Sequence, residues 1–293
     1  MLLAQNFLGS IIIGMMGGTI YGLLAMGLSL QYGVCRVLNI THGEFAMLGA
    51  MLTFTLGQWG INPLLAPVII GPLLFGLGFL LQTTLFRAIK ARAPSPAAFE
   101  GNALLVAFGL MYIIMYAARL RWGTDLLPTP RWTQPVGYIG FVPISLNIIM
   151  VCAISVALGI AVHLFLSRSR LGRAIRATAE DQPTAELMGV NTRTILALCF
   201  GLGALLAAVA GTLSSITSTV TTSMGFNNTV IALIVVTLGG LGSVPGSFIA
   251  GIVIGVVSNL VTGFWVPVLA VPVYYAILMV LLLARPSGIF GKK

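Results

Sequence analysis

The residues best suited to chemistry in this sequence lie between two long apolar stretches, in the segment RVLNITHGE. Its polar members are Arg36, Asn39, His42 and Glu44. An ionisable side chain at the centre of a membrane helix costs about 2.5–3.5 kcal/mol, so such groups usually serve a function or find a partner. Two interpretations are open. Glu44 pairs with Arg36 or His42 and fixes a hairpin, or Asn39, His42 and Glu44 belong to a conduction path or its gate.

A second polar feature is a run of hydroxyls from Thr212 to Ser223, where nine of twelve residues are Ser or Thr. Hydroxyls can hydrogen-bond to carbonyls of their own helix, which makes them inexpensive in an apolar setting. They can also line a neutral, weakly selective passage, and Asn227 with Asn228 could close the same vestibule. Both interpretations are open, and the second makes Thr217, Thr221 and Asn227 candidate path residues.

An arginine-rich insert from Ser167 to Thr194 interrupts the apolar sequence. It carries five arginines and three acids: Arg168, Arg170, Arg173, Arg176, Arg193, Glu180, Asp181 and Glu186. The tract from Leu171 to Met188 has helical composition, is interrupted at Pro183, and ends at Gly189, as helices often do. A charged helix held between two membrane spans is a candidate for transmitting force from a cytoplasmic partner.

Catalytic and metal-binding motifs are missing from the sequence. There is no GxxxxGK[ST] phosphate loop, and no HExxH, CxxC or GxSxG. His42 and His163 are far apart in sequence, and three scattered cysteines have neither metal nor disulfide spacing. We therefore expect no catalysis by this chain, no metal and no cofactor of its own.

Composition places the chain among membrane proteins. It is 58% hydrophobic and 7% charged, with a mean hydropathy of +1.05, whereas soluble domains are roughly 25% charged. We expect a single all-α domain over residues 1–293, a polytopic bundle with eight or nine crossings. The predicted spans are Phe7–Leu30, His42–Trp59, Leu64–Phe86, Asn102–Leu120, Ile144–Leu166, Ile195–Ile216, Thr229–Gly240, Ser247–Thr262 and Val268–Ala284.

The distribution of Lys and Arg predicts the orientation of the bundle, because short loops rich in these residues stay on the cytoplasmic side. Nine crossings that start outside place 12 of the 15 cations on one face. The exceptions are Arg119, Arg121 and Arg131. The sequence therefore predicts an external N-terminus and a cytoplasmic C-terminus. The net charge of +9 follows from this topology, and we expect no nucleic-acid partner.

Small residues recur at four-residue spacing in two of the predicted spans. Gly14, Gly18 and Gly22 form one stripe, and Gly203, Ala207 and Gly211 form another. Such stripes let helix backbones approach closely in lipid, either within the chain or against a partner, although a lining role is the alternative. The segment LGGLGSVPG (Leu238–Gly246) breaks a helix, as a tight turn or as a re-entrant element.

Three separated segments resemble the LivH-type permeases of branched-chain amino acid ABC importers. They are YGVCRVLNITHGEFAMLGA, SRLGRAIRATAEDQPTAELMGVNT and LGGLGSVPGSFIAG, in that order, and the ending RPSGIFG is similar as well. In the insert, Ala185 and Gly189 keep the alanine-to-glycine spacing of the family's permease signature. Pro183 and Thr184 stand where that signature has Glu and Ala. Thr41 precedes His42 and Gly43 where many relatives have Ala.

The resemblance implies a multi-pass protein of the bacterial cytoplasmic (inner) membrane that works in a larger complex. Its expected partners are a second, LivM-like permease subunit, two cytoplasmic ATPase subunits that hold the ATP and Mg²⁺, and an external substrate-binding protein. The insert would then be the loop that docks onto an ATPase. Its expected coupling residues are Arg170, Arg173, Arg176, Glu180, Asp181, Ala185, Glu186 and Gly189.

Branched-chain amino acids are the expected cargo, with urea, short amides or aromatic acids as alternatives. A secondary transporter or solute channel and a membrane-embedded enzyme are the other classes considered. Ion-driven transporters often place carboxylates at mid-membrane, whereas Glu44 is the only acid near a predicted span here, which argues against proton coupling. An enzyme would need a catalytic constellation that this sequence lacks.

Overall fold

The structure, a computed structural model, describes residues 2–127, 136–139, 142–265, 269–285 and 288–289. The described chain is almost entirely helical. The helices are α1 (Leu2–Cys35), α2 (His42–Gln58), α3 (Ala66–Leu81), α4 (Arg87–Arg92), α5 (Pro96–Trp122), α6 (Leu146–Arg168), α7 (Arg170–Glu180), α8 (Gln182–Leu187), α9 (Thr192–Thr217), α10 (Met224–Gly239), α11 (Val244–Phe264) and α12 (Ala270–Ala284). A π-helical turn, Gln82–Phe86, joins α3 to α4, and a 3₁₀ turn, Pro63–Leu65, precedes α3.

Six helical segments among the described residues are long and apolar enough to cross a membrane. They correspond to α1, the continuous run from the 3₁₀ turn through α4, α5, α6, α9 and α11. The all-α, multi-pass prediction is confirmed at this level. Every one of the nine predicted spans contains a helix, but α2, α10 and α12 are shorter than the other six. The predicted start of the last span, Val268, lies outside the described residues.

One departure from an all-α chain is a short antiparallel hairpin before α6. Strands β1 (Val136–Ile139) and β2 (Val142–Ser145) pair with Val136 opposite Ser145. The predicted span Ile144–Leu166 therefore begins in a strand, and its helix starts at Leu146. Two strands of four residues carry too weak a sequence signal to be separated from the apolar run that follows them.

The centre of the bundle is α9, whose residues are buried on most sides. It packs against α1, α2 and α3, and α1 packs in turn against α11. By contrast, α5 and α6 bury only a narrow face and leave side chains such as Leu105, Ile113 and Ile160 exposed. A helix that is apolar all round but buried on one face only suits a position against lipid or a partner subunit.

Both glycine stripes lie at helix–helix contacts inside the chain. A Cβ added at Gly18 would lie 2.8 Å from the Gly251 carbonyl oxygen in α11, and Gly14 and Gly22 face the same helix. In α9, Gly203 faces the side chain of Gln31 and Gly211 faces the backbone of Ala46. Close backbone approach maximises dispersion contact where lipid removes the hydrophobic drive for association. Plain packing therefore accounts for both stripes.

Contacts define two ends of the bundle. At the basic end, the Arg36 guanidinium donates to the Ala179 carbonyl oxygen in α7, and the Lys90 ammonium donates to the Gln182 side chain. At the opposite end, the Trp122 indole donates to Thr55, and Thr222 donates to the Gly123 carbonyl oxygen. The basic loop after α3 and the insert thus lie at one end, as the charge pattern predicted.

The tail returns to the level of the turn between α10 and α11. The Ile289 backbone amide donates to the Leu238 carbonyl oxygen at 2.9 Å. Gly240 and Gly242, with φ of 93° and 86°, form that turn next to Gly33, close to the end of α1. The segment Leu238–Gly246 is therefore a tight turn between two helices. Three of the cations that entered the prediction of the orientation lie outside the described residues: Arg131, Lys292 and Lys293.

Candidate functional site

Helix α2 begins inside the bundle. The Thr41 hydroxyl donates to the Ala107 carbonyl oxygen at 3.0 Å, and His42 Nε2 lies 2.9 Å from the Leu24 carbonyl oxygen. Ala107 is eleven residues into α5, about 16 Å from its start at a rise of ~1.5 Å per residue. The chain leaves α1 at Arg36 on the basic end and returns to this depth over residues 37–41, which are not helical.

A hydrogen-bonded network supports this non-helical segment. Gln31 donates through Nε2 to the Phe200 carbonyl oxygen at 2.9 Å and accepts from Asn39 Nδ2 at 3.1 Å. The Asn39 Oδ1 atom accepts from the backbone amide of Thr41 at 3.1 Å. Gln31, Asn39 and Thr41 are all at most 1% exposed. Backbone outside a helix is tolerated at membrane depth only where neighbouring groups satisfy it, and here the Asn39 side chain satisfies the Thr41 amide.

Helix α10 meets the start of α2 at the same depth. The Thr229 hydroxyl donates to the Ile40 carbonyl oxygen at 2.8 Å and accepts from the Gly43 backbone amide at 2.9 Å. Residues 218–223, which precede α10, are also non-helical. Two shortened helices therefore start within one bundle and contact each other near their first turns. Thr229, which joins them, was not among the predicted site residues, because a single threonine inside an apolar helix carries no distinctive sequence signal.

Glu44 lies in the first turn of α2 and is 1% exposed. Neither carboxylate oxygen has a hydrogen-bond partner among the described residues. The carboxylate lies against Gly225 of α10, where an added Cβ would overlap it, and it interacts electrostatically with Arg119 of α5. A buried acid without a hydrogen bond is rare in folded proteins and calls for a functional explanation.

The sequence-based expectation that Glu44 pairs with Arg36 or His42 is not met. Arg36 is exposed at the basic end and contacts α7. The His42 ring is fully buried, and its contact with the Leu24 carbonyl oxygen makes Nε2 the donor, while Nδ1 has no partner among the described residues. His42 and Asn39 thus hold the start of α2 in place. The predicted four-residue cluster divides into a structural pair, a surface arginine and an acid that makes no hydrogen bond but interacts with Arg119.

The hydroxyl run divides at the end of α9. Thr212 and Ser215 are fully buried and donate to carbonyl oxygens three residues back, which satisfies them within their own helix. Thr217 also donates to a carbonyl of its own helix, that of Ser214, but it is exposed.

The candidate path residues beyond α9 lie at the opposite end of the bundle or just below it. Thr221 is half-buried, with its hydroxyl 3.3 Å from that of Ser223. Asn227, in the first turn of α10, is exposed and Asn228 is half-buried. Thr217 and Asn227 are therefore exposed and Thr221 is half-buried, whereas the buried first half of the hydroxyl run is packing.

The insert forms two helices on the basic end. The Ser169 hydroxyl caps α7 by accepting from the Gly172 amide at 2.8 Å. One face of α7, containing Gly172, Ile175 and Thr178, is buried against α6, α1 and α9. The other face is exposed and carries Arg170, Arg173, Arg176 and Glu180. Two of these arginines donate to carbonyl oxygens at the end of α6: Arg173 to that of Arg168 and Arg176 to that of Leu166.

Helix α8 begins after Asp181, which accepts a hydrogen bond from Thr184. The interruption thus falls two residues before Pro183, the residue at which the sequence predicted it. Ala185 is only 4% exposed, and its carbonyl oxygen accepts from the Val190 amide, so it packs α8 in place. Glu186 accepts a hydrogen bond from Thr192 at the start of α9.

The tip of the insert follows α8. Gly189 has a φ of 84°, and an added Cβ there would meet nothing within 4 Å. Its conformation, not lack of space, is therefore what requires glycine. Leu187 and Met188 beside it are 87% and 81% exposed. Sequence reasoning concentrated on the charges and missed this apolar pair, although two apolar residues before a helix-ending glycine could have signalled it.

No group of three or more His, Cys, Asp or Glu side chains suited to a metal occurs in the part of the chain that the structure describes. The three cysteines are free thiols. The arrangement offers two sites: a buried polar junction between α2 and α10, with Glu44 at its centre, and an exposed charged surface on α7 and α8 with an apolar tip.

The chain is similar to one family of known proteins. A family model described as the permease component of branched-chain amino acid transport systems matches residues 10–284. The chain is 29% identical over 301 residues to the high-affinity branched-chain amino acid transport system permease protein LivH of Salmonella typhimurium, covering 98% of this chain and 96% of that protein. No solved structure shows a significant match.

Two further relatives carry corresponding names. The permease protein BraD of Pseudomonas aeruginosa, from a high-affinity branched-chain amino acid transport system, is 29% identical over 309 residues, with 98% and 96% of the two chains covered. The LivH protein of Escherichia coli strain K12 is 29% identical over 303 residues with the same coverage. The similarity thus runs through both the buried junction and the insert.

Proposed function

The chain belongs to the family of permease components of branched-chain amino acid transport systems, and from this premise we propose that it forms part of the translocation pathway of an ATP-driven importer. Its cargo is a branched-chain amino acid, which is the substrate class in the names of its relatives. The observation that carries the proposal is the match over residues 10–284, because it includes both candidate sites in one chain.

The junction of α2 and α10 is the proposed gate of the pathway. Helices that start inside a bundle, next to non-helical backbone, are a recurrent way to build transport sites near the middle of a membrane. Here both helices do so, and Glu44 lies between them without a hydrogen-bond partner among the described residues. Thr217, Thr221 and Asn227 border the approach from the opposite end of the bundle. Asn39 and His42 hold the gate's position.

The α7–α8 surface is the proposed dock for a cytoplasmic ATPase subunit. Exposed arginines and acids set the register of such a contact, and a few desolvated apolar anchors supply most of its affinity. Leu187 and Met188 are the exposed apolar residues suited to be those anchors. The buried face of α7 against α1, α6 and α9 ties the dock to the bundle, so that movement of the ATPase reaches the membrane helices.

This assignment sets the orientation of the protein in the bacterial cytoplasmic membrane. The basic end faces the cytoplasm, as short loops rich in Lys and Arg do, so the N-terminus is external and the C-terminus internal after nine crossings. A LivM-like permease subunit completes the pathway, and an external binding protein delivers the solute. ATP and Mg²⁺ bind to two ATPase subunits, since this sequence has no phosphate loop.

Transport then follows from alternation between two arrangements of the helices. Closure of the two ATPase subunits on ATP pulls on α7 and α8, and the bundle rocks so that the cavity opens to one side at a time. Energy enters through the cytoplasmic dock, so no ion-coupling site is needed within the membrane. The hydrogen bonds that hold the residues of the gate have to break and re-form in each transport cycle.

Reconstitution of the complete complex in proteoliposomes tests the proposal. We expect leucine uptake that requires both external binding protein and ATP on the ATPase side. Leu187→Asp should reduce ATPase co-purification and uptake at least tenfold, because a carboxylate would occupy the apolar anchor position, whereas Leu187→Met should retain both. Uptake that continues without ATP, or without the ATPase subunits, would contradict an ATP-driven importer.

A further inference from the structure

Arg36 has an unusual backbone conformation at the point where α1 ends. Its φ is 52°, and it is the one non-glycine residue with positive φ in the part of the chain that the structure describes. Side chains other than those of Gly, Asn and Asp rarely adopt this region, so surrounding contacts must hold Arg36 there. The conformation turns the chain sharply, from the end of α1 back into the bundle toward α2.

The side chain of Arg36 connects this turn to the insert. Its Nη2 atom donates to the Ala179 carbonyl oxygen, in the last turn of α7, at 3.2 Å. Two further links lie beside it: Gln182 Nε2 donates to the Val34 carbonyl oxygen at 3.4 Å, and Lys90 donates to Gln182 Oε1 at 2.7 Å. The end of α1, α4 and the α7–α8 break thus meet at one junction.

The same junction borders a cleft of about 490 Å³. The cleft is lined by Glu180 and Asp181 at the α7–α8 break and by Phe99 and Glu100 at the start of α5. Open space on one side leaves α7 and α8 room to shift relative to α5. Arg36, Lys90 and Gln182 line the same cleft, so a shift of α7 and α8 would act on the turn at Arg36 through these polar links.

Only five residues separate Arg36 from the start of α2 at His42. Such a stretch spans at most about 18 Å, and two of its members are already fixed, Asn39 to Gln31 and Thr41 to Ala107. The segment therefore has little slack. A displacement of the Arg36 turn by a few ångströms has to change the position of Asn39 and Thr41 or break their hydrogen bonds.

We propose that Arg36 is the positioning residue that transmits movement of α7 to the start of α2, and so to the Glu44 gate. This inference rests on the proposed function and adds the route between its two sites. The guanidinium connects Arg36 to α7. The left-handed backbone turn at Arg36 directs the chain from the end of α1 toward α2. Gln182 and Lys90 limit how far α8 can move without carrying the end of α1 with it.

Replacement by glycine separates the two properties of Arg36. Arg36→Gly keeps the left-handed backbone at no steric cost but deletes the contact with Ala179. In the reconstituted complex we expect leucine transport at least fivefold below wild type, with ATP hydrolysis within twofold of wild type. Arg92→Ala, which removes another exposed cation of the basic end that makes no hydrogen bond among the described residues, should leave both unchanged.

Hydrogen–deuterium exchange provides a readout that a purely structural role would not move. In the wild-type complex, trapping the ATPases with ATP and vanadate should change amide exchange both in the insert (residues 170–189) and in residues 37–42. In Arg36→Gly the response of the insert should persist and that of residues 37–42 should be lost. Arg36→Asn, which tolerates the same backbone region but is too short to reach α7, serves as the second variant and should behave alike.

The outcomes distinguish the inference from its premise. If the wild-type complex transports leucine and the Arg36→Gly complex shows the same transport and the same exchange response, the transmission role is overturned and the importer function stands. A wild-type complex without ATP-driven transport would contradict the proposed function, and the inference with it. If both variants fail to assemble, Arg36 serves assembly and not transmission, which also counts against the inference.

Discussion

At the scale of single residues, the most telling feature is an acid without a hydrogen bond. Burial of a carboxylate that accepts no hydrogen bond is costly, and the charge of Arg119 offsets only part of that cost. Glu44 nevertheless lies 1% exposed between α2 and α10. Its neighbours His42 and Asn39 have their own partners and explain how the site is held, not why an acid is present. Glu44 is therefore the residue at which a gating role should be tested.

Glu44→Gln removes the charge and keeps the shape. We expect leucine transport by the reconstituted complex to fall about tenfold, equivalent to ~1.4 kcal/mol in the transport barrier, because the gate loses a charged contact made during the cycle. Membrane insertion and co-purification of the partner subunits should be unchanged. Protein missing from the membrane would instead show that Glu44 serves folding.

A steric variant provides the control for this experiment. Gly225→Ala places a methyl group where the Glu44 carboxylate lies, so it should impair transport without changing any charge. Gly76→Ala, at an exposed position of α3 where an added Cβ meets nothing within 4 Å, should be silent. Impairment by Gly76→Ala would mean that the assay reports glycine loss in general.

At the scale of elements, short capping signals decide where the helices of the insert begin and end. Ser169 caps the start of α7 and Asn191 caps the start of α9. In each case the side-chain oxygen accepts a hydrogen bond from a backbone amide of the first turn. Gly189 ends the α8 turn with a left-handed conformation. These local features hold Leu187 and Met188 at the tip, so the shape of the proposed dock would depend on them as well as on its charges.

Replacements at Gly189 should follow backbone preference and not size. Gly189→Val forces a β-branched residue into a left-handed conformation at a cost of about 1–2 kcal/mol, and we expect it to weaken ATPase co-purification. Gly189→Asn tolerates that conformation and should retain co-purification, since open space surrounds the position. Equal loss with both residues would point to a direct contact of the glycine with the ATPase.

At the scale of the whole molecule, stability rests on close contact between helices with small residues. Helix α1 is held against α11 by glycines on both sides, and α9 fills the centre. The two shortened helices pack into this bundle, α2 against α9 and α10 against α11.

Two adjacent glycines of α1 allow a matched test of this packing. Gly18→Ala would bring a methyl group to 2.8 Å from the α11 backbone, and overpacking of this kind costs about 1–3 kcal/mol. We expect a lower melting temperature for the purified chain. Gly17→Ala, one residue away and facing open space, should not lower it. Equal effects would contradict the assignment of the stripe to the α1–α11 contact.

The amino-acid sequence was enough to identify a membrane protein and to locate its apolar helices approximately, and it drew attention to the two regions for which we propose roles. Apolar runs identify membrane helices because lipid forces each backbone to satisfy its own hydrogen bonds, and that constraint is local. Caps, glycines and the charged insert are local signals too. The grouping of basic segments at one end was predictable as well, since it depends only on counting loops.

Tertiary structure decided which polar residues meet. Arg36 and Glu44 are eight positions apart in sequence, yet the chain turns at Arg36 and takes them to different depths, one beside Ala179 and the other beside Gly225. Contacts between residues nearly two hundred positions apart, such as Gly43 with Thr229, create the junction of α2 and α10. No local pattern encodes such a contact, because it arises only when separate helices pack together.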